Sequence, residues 1–185
     1  MVKLDTIVTR GGDRGETSLA DGSRVAKSHT RIAVFGALDE TNTAVGLLRV
    51  VCAQSPEIDS VLAAIQNDLF DIGADLAAPA DPNRPSRLTS AYVARLDEAA
   101  TAWNARLGPL TSFILPGGTE AASRAHLART IARRAERELV RLASETTISD
   151  IPIPYLNRLS DTMFILARLL NDEGRADTLW RPGGA

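Results

Sequence analysis

Cysteine, histidine and aromatic residues are all scarce in this 185-residue chain, and each scarcity closes off a class of function. The lone Cys52 excludes an intrachain disulfide and a multi-cysteine zinc site, and its VVCA surroundings mark it as a small buried hydrophobe. The two histidines, His29 and His126, have no Glu three residues before them, so the Glu-x-x-His pairs of di-metal carboxylate bundles are missing and no protein metal ligand is expected. Aromatics at 4% leave little material for stacking nucleic-acid bases, and a net charge of -2 lacks the basic footprint of a general nucleic-acid binder. No run of 18 apolar residues is present, and the start MVKLDTIVTRGG has neither an apolar h-region nor an Arg/Ser-rich amphipathic leader. The expected setting is cytoplasmic, with neither membrane nor nucleic acid as a partner.

What remains is an ordinary globular composition, 44% apolar and 24% charged, expected to form a single domain over residues 1–185. Five stretches show helical spacing. The first runs from about Ile32 to Ala53, with Phe35, Leu38, Val45, Leu48 and Val51 inward. The second opens on Ser55-Pro56-Glu57 and turns Ile58, Val61, Ile65, Leu69, Ile72 and Leu76 to its neighbours. A loop at 78–88 with three prolines ends it, and a third helix is expected from Thr89 or Ser90 to about Arg106, with Val93, Leu96, Ala100 and Trp103 inward. Thr119 caps the fourth, which reaches about Ser144; the fifth spans about Tyr155 to Asn171 on a seam of Leu156, Leu159, Met163, Leu166 and Leu170. No segment reads convincingly as a strand. The expected fold is all-α, a five-helix bundle with ferritin-like up-down packing over 31–173. An irregular arm (1–30) precedes it, and a tail (174–185) follows, loosely ordered beyond Trp180.

The fourth pattern carries the densest chemistry. Arg124, Arg129, Arg133, Arg134, Arg137 and Arg141 fall within eighteen residues. Leu127, Ile131, Ala135, Leu139 and Leu142 make one apolar stripe, and Arg129, Arg133 and Arg137 form an i, i+4, i+8 row on roughly the opposite side. Three stacked guanidinium groups repel unless anions answer them. The anions are either carboxylates such as nearby Glu136 and Glu138, or a polyphosphate suited to the planar five-donor fork. His126, one turn before Arg129, either assists the row or is a satisfied structural histidine.

Other candidates are thinner. The arm stretch TRGGDRGETSLADGSR sets Gly11, Gly12 and Gly15 among the hydroxyls of Thr9, Thr17 and Ser18 and the charges of Arg10, Arg14 and Lys27, which makes it an anion cradle or a flexible tail. It is neither a Walker A loop nor a dinucleotide fingerprint. Asp39 is a partner for a distant arginine or an exposed acid. The segment GPLTSFILPGG at 108–118 either plugs the end of the bundle or offers Phe113 to a ligand.

Six stretches, taken in order, carry a resemblance: TRGGDRGETSL in the arm, GALDETN at 36–42, IQNDLFDIGADLA at 65–77, FILPGG at 113–118, HLARTIARRAER at 126–137 and YLNRLSD at 155–161. Together they resemble the PduO-type corrinoid adenosyltransferases (ATP:cob(I)alamin adenosyltransferases) over roughly residues 4–170. The resemblance implies a homotrimer with active sites at subunit interfaces, ATP with Mg²⁺, and cob(I)alamin or cob(II)alamin as the second substrate. It places nucleotide contacts at Thr9, Arg10, Gly11, Gly12, Thr17, Ser18 and Lys27, at Arg133, Arg134, Glu136 and Arg137, and at Asn157. It pairs Asp39 with Arg129 across the interface and sets Phe113 beneath the corrin ring. The chain departs from the family pattern at Gly11 (usually Thr), Arg14 (usually Lys), Thr41 (usually Leu) and Ser28-His29 (usually an acidic pair).

The implied reaction is attack of the corrinoid cobalt on the 5′ carbon of ATP, with Arg133 and its neighbours stabilising the departing triphosphate. Phe113 would displace the axial ligand of cob(II)alamin and ease its reduction. A reductase and an adenosylcobalamin-dependent enzyme are the further partners implied. The alternative is a non-catalytic helical-bundle adaptor or corrinoid carrier that uses its arginines only for salt bridges.

Overall fold

Apolar spacing and cap chemistry together set the helix boundaries in the computed structural model, which describes residues 7–77 and 86–184. Helix α1 (Thr30–Cys52) starts where the His29 ring nitrogen accepts the Arg31 N–H at 3.1 Å. Helix α2 (Pro56–Leu76) begins on a proline, whose missing N–H is no loss in a first turn. Helices α3 (Ser90–Asn104) and α4 (Glu120–Glu145) follow, the latter capped by Thr119 Oγ1, which accepts the Ala122 N–H at 3.1 Å. Helix α5 (Pro152–Leu170) starts three residues before the expected Tyr155. Pro152 and Pro154 do not break it, because both lie in the first turn, where their nitrogens would have no partner. Most of the expected proline loop at 78–88, like the first six residues of the arm, lies outside the described residues.

The arm is not wholly irregular. Glu16–Ser18 (β1) and Arg24–Ala26 (β2) pair antiparallel, with Thr17 opposite Val25. Strands of three residues are too short to register as a period, and the signal that remains is turn chemistry. Asp21 accepts from the Ser23 N–H and hydroxyl, and Gly22 takes a φ of +84°.

α4 is central, packed between α1 and α5; α2 lies on α1 and α3 on α5. Its buried face is largely alanine: Ala122, Ala125, Ala128, Ala132 and Ala135 are fully enclosed, with Leu139 and Leu142 completing the seam. Leu127, expected in that seam, is instead 50% exposed. Large apolar side chains drew the expected stripe toward Leu127, whereas the close approach of two flanking helices selects the small residues. Cys52 is buried and unbridged as expected, and burial pushes its thiol up. No helix among the described residues is long and apolar enough to cross a membrane.

Opposite the arginine helix, the bundle closes through a polar link. The buried Asp68 of α2 accepts from Arg95 of α3 at 2.5 Å and from the Tyr155 hydroxyl of α5 at 3.1 Å. Desolvation raises the Asp68 carboxyl despite Arg95, and burial lifts the Tyr155 phenol far above its ordinary value.

The segment at 108–118 is tied to the tail. Leu115 N–H donates to the Thr178 carbonyl at 2.8 Å and Trp180 N–H to the Phe113 carbonyl at 2.7 Å, flanking the bridge Ile114–Leu179. At its end Gly118 has a φ of +104°, and a Cβ there would run into the Asn171 carboxamide. That carboxamide accepts the Thr119 N–H at 3.0 Å, so the glycine brings the N-cap of α4 against the end of α5. Gly118→Ala should therefore destabilise the fold by at least ~2 kcal/mol, read as a lower urea midpoint; an unchanged midpoint would refute the requirement for glycine.

Candidate active site

The arginine cluster divides once the fold is formed. Arg124 bonds Glu120 at 2.6 Å and the Leu47 carbonyl at 2.8 Å, and Arg141 meets Glu138 at 2.9 Å. Arg134 pairs with Glu40 of α1. Among the described residues, Arg129, Arg133 and Arg137 have no carboxylate partner; the only bond from this row runs from Arg137 to the Arg133 carbonyl at 3.3 Å. Half of the cluster is neutralised internally, and the row on one face keeps its charge uncompensated among the described residues.

α5 supplies the neighbouring wall. Asn157, Asp161 and Phe164 are spaced four and three apart and so share one helical face. The Asn157 amide donates to Glu136 at 3.1 Å, bringing two of the expected nucleotide residues together. The Arg129 guanidinium lies 5.5 Å from the Phe164 ring centroid, a cation–π contact. Burial and then the Arg133 charge pull Arg129 below its ordinary value, partly offset by Asp161; it stays protonated. Asp39 is elsewhere, lining a groove of about 520 Å³ with Phe35, Leu38, Asn42, Leu69 and Phe70. Asp39 and Arg129 make no ion pair within the chain.

His126 corrects an expectation. It is buried, but among the described residues neither ring nitrogen has a hydrogen-bond partner, unlike a satisfied structural histidine. Its ring meets Phe164 edge-on, centroids 6.2 Å apart, on the residue that also carries Arg129. Burial first, then the Arg129 charge, lower its pKa, with Asp177 opposing.

In the arm, Arg10 and Gly15 take φ of +57° and +79°, and two tight turns close residues 10–15. Lys27 Nζ stands over Gly12, where a Cβ would lie 2.9 Å away. Arg24 holds the Gly11 carbonyl at 2.9 Å. Thr9, Arg10, Gly11 and Ser18 are exposed, and Gly12 and Thr17 half-buried. The arm rests on the end of α2, where Ala20 N–H meets the Ala77 carbonyl at 3.1 Å. Among the described residues, no hydrogen bond or ion pair joins residues 7–27 to α4. Phe113 is 79% exposed on its loop, touched edge-on by Trp180.

Sequence reading passed over Arg24, Glu40, Phe164, Asp177 and Trp180. Only Phe164 had a usable signal, its helical spacing from Asn157 in the YLNRLSD stretch. The others act through contacts between segments far apart in the chain.

These features describe an α-helical protein with a row of three arginines on one helix face that no carboxylate among the described residues answers. Residues 7–170 match the family described as Cobalamin adenosyltransferase, and the chain belongs to that family. A corrinoid adenosyltransferase of Mycobacterium bovis is 46% identical over 99% of this chain and 96% of its own length. The corrinoid adenosyltransferase PduO of Salmonella typhimurium is 47% identical over 88% of this chain, which spans 48% of that longer protein. Among solved structures, a variant PduO-type ATP:corrinoid adenosyltransferase from Lactobacillus reuteri, complexed with cobalamin and ATP, superposes with a TM-score of 0.89. That match is at 36% identity over 95% of this chain and 97% of the other.

His126, buried and without a hydrogen-bond partner among the described residues, gives a pH signature. Its folded pKa is lowered, so below about 6.5 the unfolded chain takes up a proton that the folded chain refuses, and stability falls with pH across that window. His126→Leu should flatten this acid-side loss, measured as urea midpoints from pH 8 to pH 5; parallel pH profiles would show that the ring titrates normally.

Proposed function

We propose that this chain transfers the 5′-deoxyadenosyl group of ATP to the cobalt of cob(I)alamin, releasing triphosphate. One observation carries the reading: Arg129, Arg133 and Arg137 stand without carboxylate partners among the described residues while Arg124, Arg134 and Arg141 are paired. Membership of the cobalamin adenosyltransferase family supports it. Cobalt(I) supplies the electron pair of the new Co–C bond, the C5′–O bond breaks, and its pair leaves on the triphosphate. Negative charge grows on the leaving group as that bond stretches. Guanidinium groups fixed beside it stabilise the transition state more than the ground state.

Arg133 and Arg137 are the residues assigned to the triphosphate, joined by Arg134 once it exchanges Glu40 for phosphate. Glu136 and Asn157, already bonded to each other, are assigned to the nucleoside end of the site. Thr9, Arg10, Gly11, Gly12, Thr17, Ser18 and Lys27 form the second half of the ATP site, contributed by the arm of a neighbouring subunit. Two features support assembly into a trimer with sites at the interfaces. Among the described residues, the arm makes no polar contact with α4 of its own chain, and Asp39 opens into the α1/α2 groove while Arg129 lies on Phe164, an arrangement that suits a pairing between two subunits. No three His, Cys, Asp or Glu side chains among the described residues converge to hold a metal. The described donor set therefore offers Mg²⁺ no cage of its own, and the ion would be carried in with ATP to share the charge of the triphosphate.

Phe113 is assigned to the corrinoid. An aromatic ring 79% exposed on a loop costs hydration in the free protein and gains apolar contact against the face of a corrin. Placed at the axial position it excludes water and the axial ligand, which makes cob(II)alamin easier to reduce. An electron donor for that reduction and an enzyme that consumes adenosylcobalamin are the partners this chemistry implies.

The test is anaerobic adenosylation followed by the visible spectrum of the product. Wild-type protein with ATP, Mg²⁺ and cob(I)alamin should form adenosylcobalamin; no spectral change would favour a carrier or adaptor. Arg133→Ala should lower kcat/KM for ATP by on the order of 100-fold, and near-normal kinetics would refute phosphate binding there. Phe113→Ala should retain ATP binding and lose far more activity starting from cob(II)alamin than from supplied cob(I)alamin. Equal losses would remove Phe113 from the reduction step.

A further inference from the structure

The tail beyond α5 contains a carboxylate that none of the site assignments uses. Asp177 has a side chain only 2% exposed, and its two oxygens are both engaged. Oδ2 accepts from Arg168 Nε at 2.8 Å, and Oδ1 accepts from the Asn171 amide at 3.2 Å. Each of these donors also reaches one end of the Phe113 loop. Arg168 donates to the Gly108 carbonyl at 3.1 Å, and the Asn171 amide to the Gly117 carbonyl at 3.0 Å. The residues immediately after Asp177 hold the middle of the same loop. Thr178 accepts from Leu115, Trp180 donates to the Phe113 carbonyl, and the Ser112 hydroxyl donates to the Trp180 carbonyl at 3.0 Å. The Trp180 ring meets Phe113 edge-on, centroids 6.2 Å apart and planes at 65°.

One buried carboxylate thus governs three points of a Gly/Pro-rich loop. It orients the side chains that fix both ends, and it starts the tail segment that pairs with the centre. An exposed phenyl ring on an unrestrained loop would fold back onto nearby apolar surface such as Leu110 or Leu115, and its orientation would be lost. Work that depends on placing one ring against a metal face tolerates errors of only about 0.5 Å.

We propose that Asp177 is a positioning residue for Phe113: through Arg168, Asn171 and the Trp180 strand it holds the ring in the orientation that the corrinoid meets. This rests on the assignment of Phe113 to the corrinoid given above. Asp177 touches no substrate and acts on the cob(II)alamin branch of the reaction alone.

The experiment compares adenosylation rates from cob(II)alamin and from chemically prepared cob(I)alamin in full-length Asp177→Asn. Asparagine keeps the shape but turns one of the two acceptors into a donor facing Arg168 or Asn171. The rate ratio, cob(II) over cob(I), should fall on the order of 10-fold or more, with ATP affinity unchanged. The spectroscopic signature of axially stripped cob(II)alamin should weaken in parallel. Trp180→Ala leaves the buried carboxylate in place and removes the ring against Phe113; it should reproduce the split, and it carries the test if Asp177→Asn does not fold. In a Phe113→Ala background neither substitution should change the ratio further. Equal losses from both cobalt states, or an unaltered ratio where Phe113→Ala alone shifts it, would reduce Asp177 to a structural role. An unaltered ratio in Phe113→Ala itself would overturn the corrinoid assignment of Phe113 and the positioning role with it.

Discussion

A helix that carries six arginines can occupy the centre of a bundle only if its buried face asks for almost no room. Helix α4 meets that constraint with alanine. Ala125, Ala128, Ala132 and Ala135 let α1 and α5 approach closely on two sides, and the leucines of those neighbours fill the space above them. Alanine is also the best helix former, which offsets the repulsion built into the arginine-rich turns. With the small face inward, the arginine row has to emerge along the α5 side, and everything assigned to the site follows from that rotation of α4.

Charge is then distributed by tertiary contact. Glu120 and Glu138 lie on α4 itself and answer Arg124 and Arg141 as an isolated helix would. Glu40 comes from α1 and answers Arg134. Arg129 lies on the π face of Phe164, and the nearby α5 carboxylate, Asp161, is paired with Arg158 at 3.3 Å. The electrostatic imbalance is local, since the whole chain carries a formal charge of only -2. Arg133 and Arg137 are exposed and keep their water, whereas Arg129 is half-buried against Phe164.

The bundle is also tied at the end that bears Phe113. Asp177, Arg168 and Asn171 form a buried polar cluster in which each charged or amide group is bonded, and it joins the end of α5, the cap of α4 and both ends of the 108–118 loop. Buried polar groups that are fully partnered impose one geometry, because any alternative leaves an unpaired charge in the interior. The His126 site is the contrast. It is equally enclosed yet has no hydrogen-bond partner among the described residues, and its ring meets the edge of Phe164.

Much of this was legible in the chain. Period and caps determined α2, α3 and α4 nearly to the residue, because a leucine or isoleucine at every third or fourth position and a Thr or Pro at the boundary act locally. The motif order determined the family, and the i, i+4 row of Arg129, Arg133 and Arg137 was present as a row before any fold. What only the tertiary structure decided depends on packing between segments: that Leu127 faces out while alanines face in, that Arg134 is claimed by Glu40, that His126 finds no partner among the described residues, that a hairpin of two three-residue strands organises the arm, and that the tail is bonded to the Phe113 loop. Periodicity reports which side chains share a face. It cannot report how close the next helix comes, and that distance selects alanine over leucine and determines which arginines remain available to a ligand.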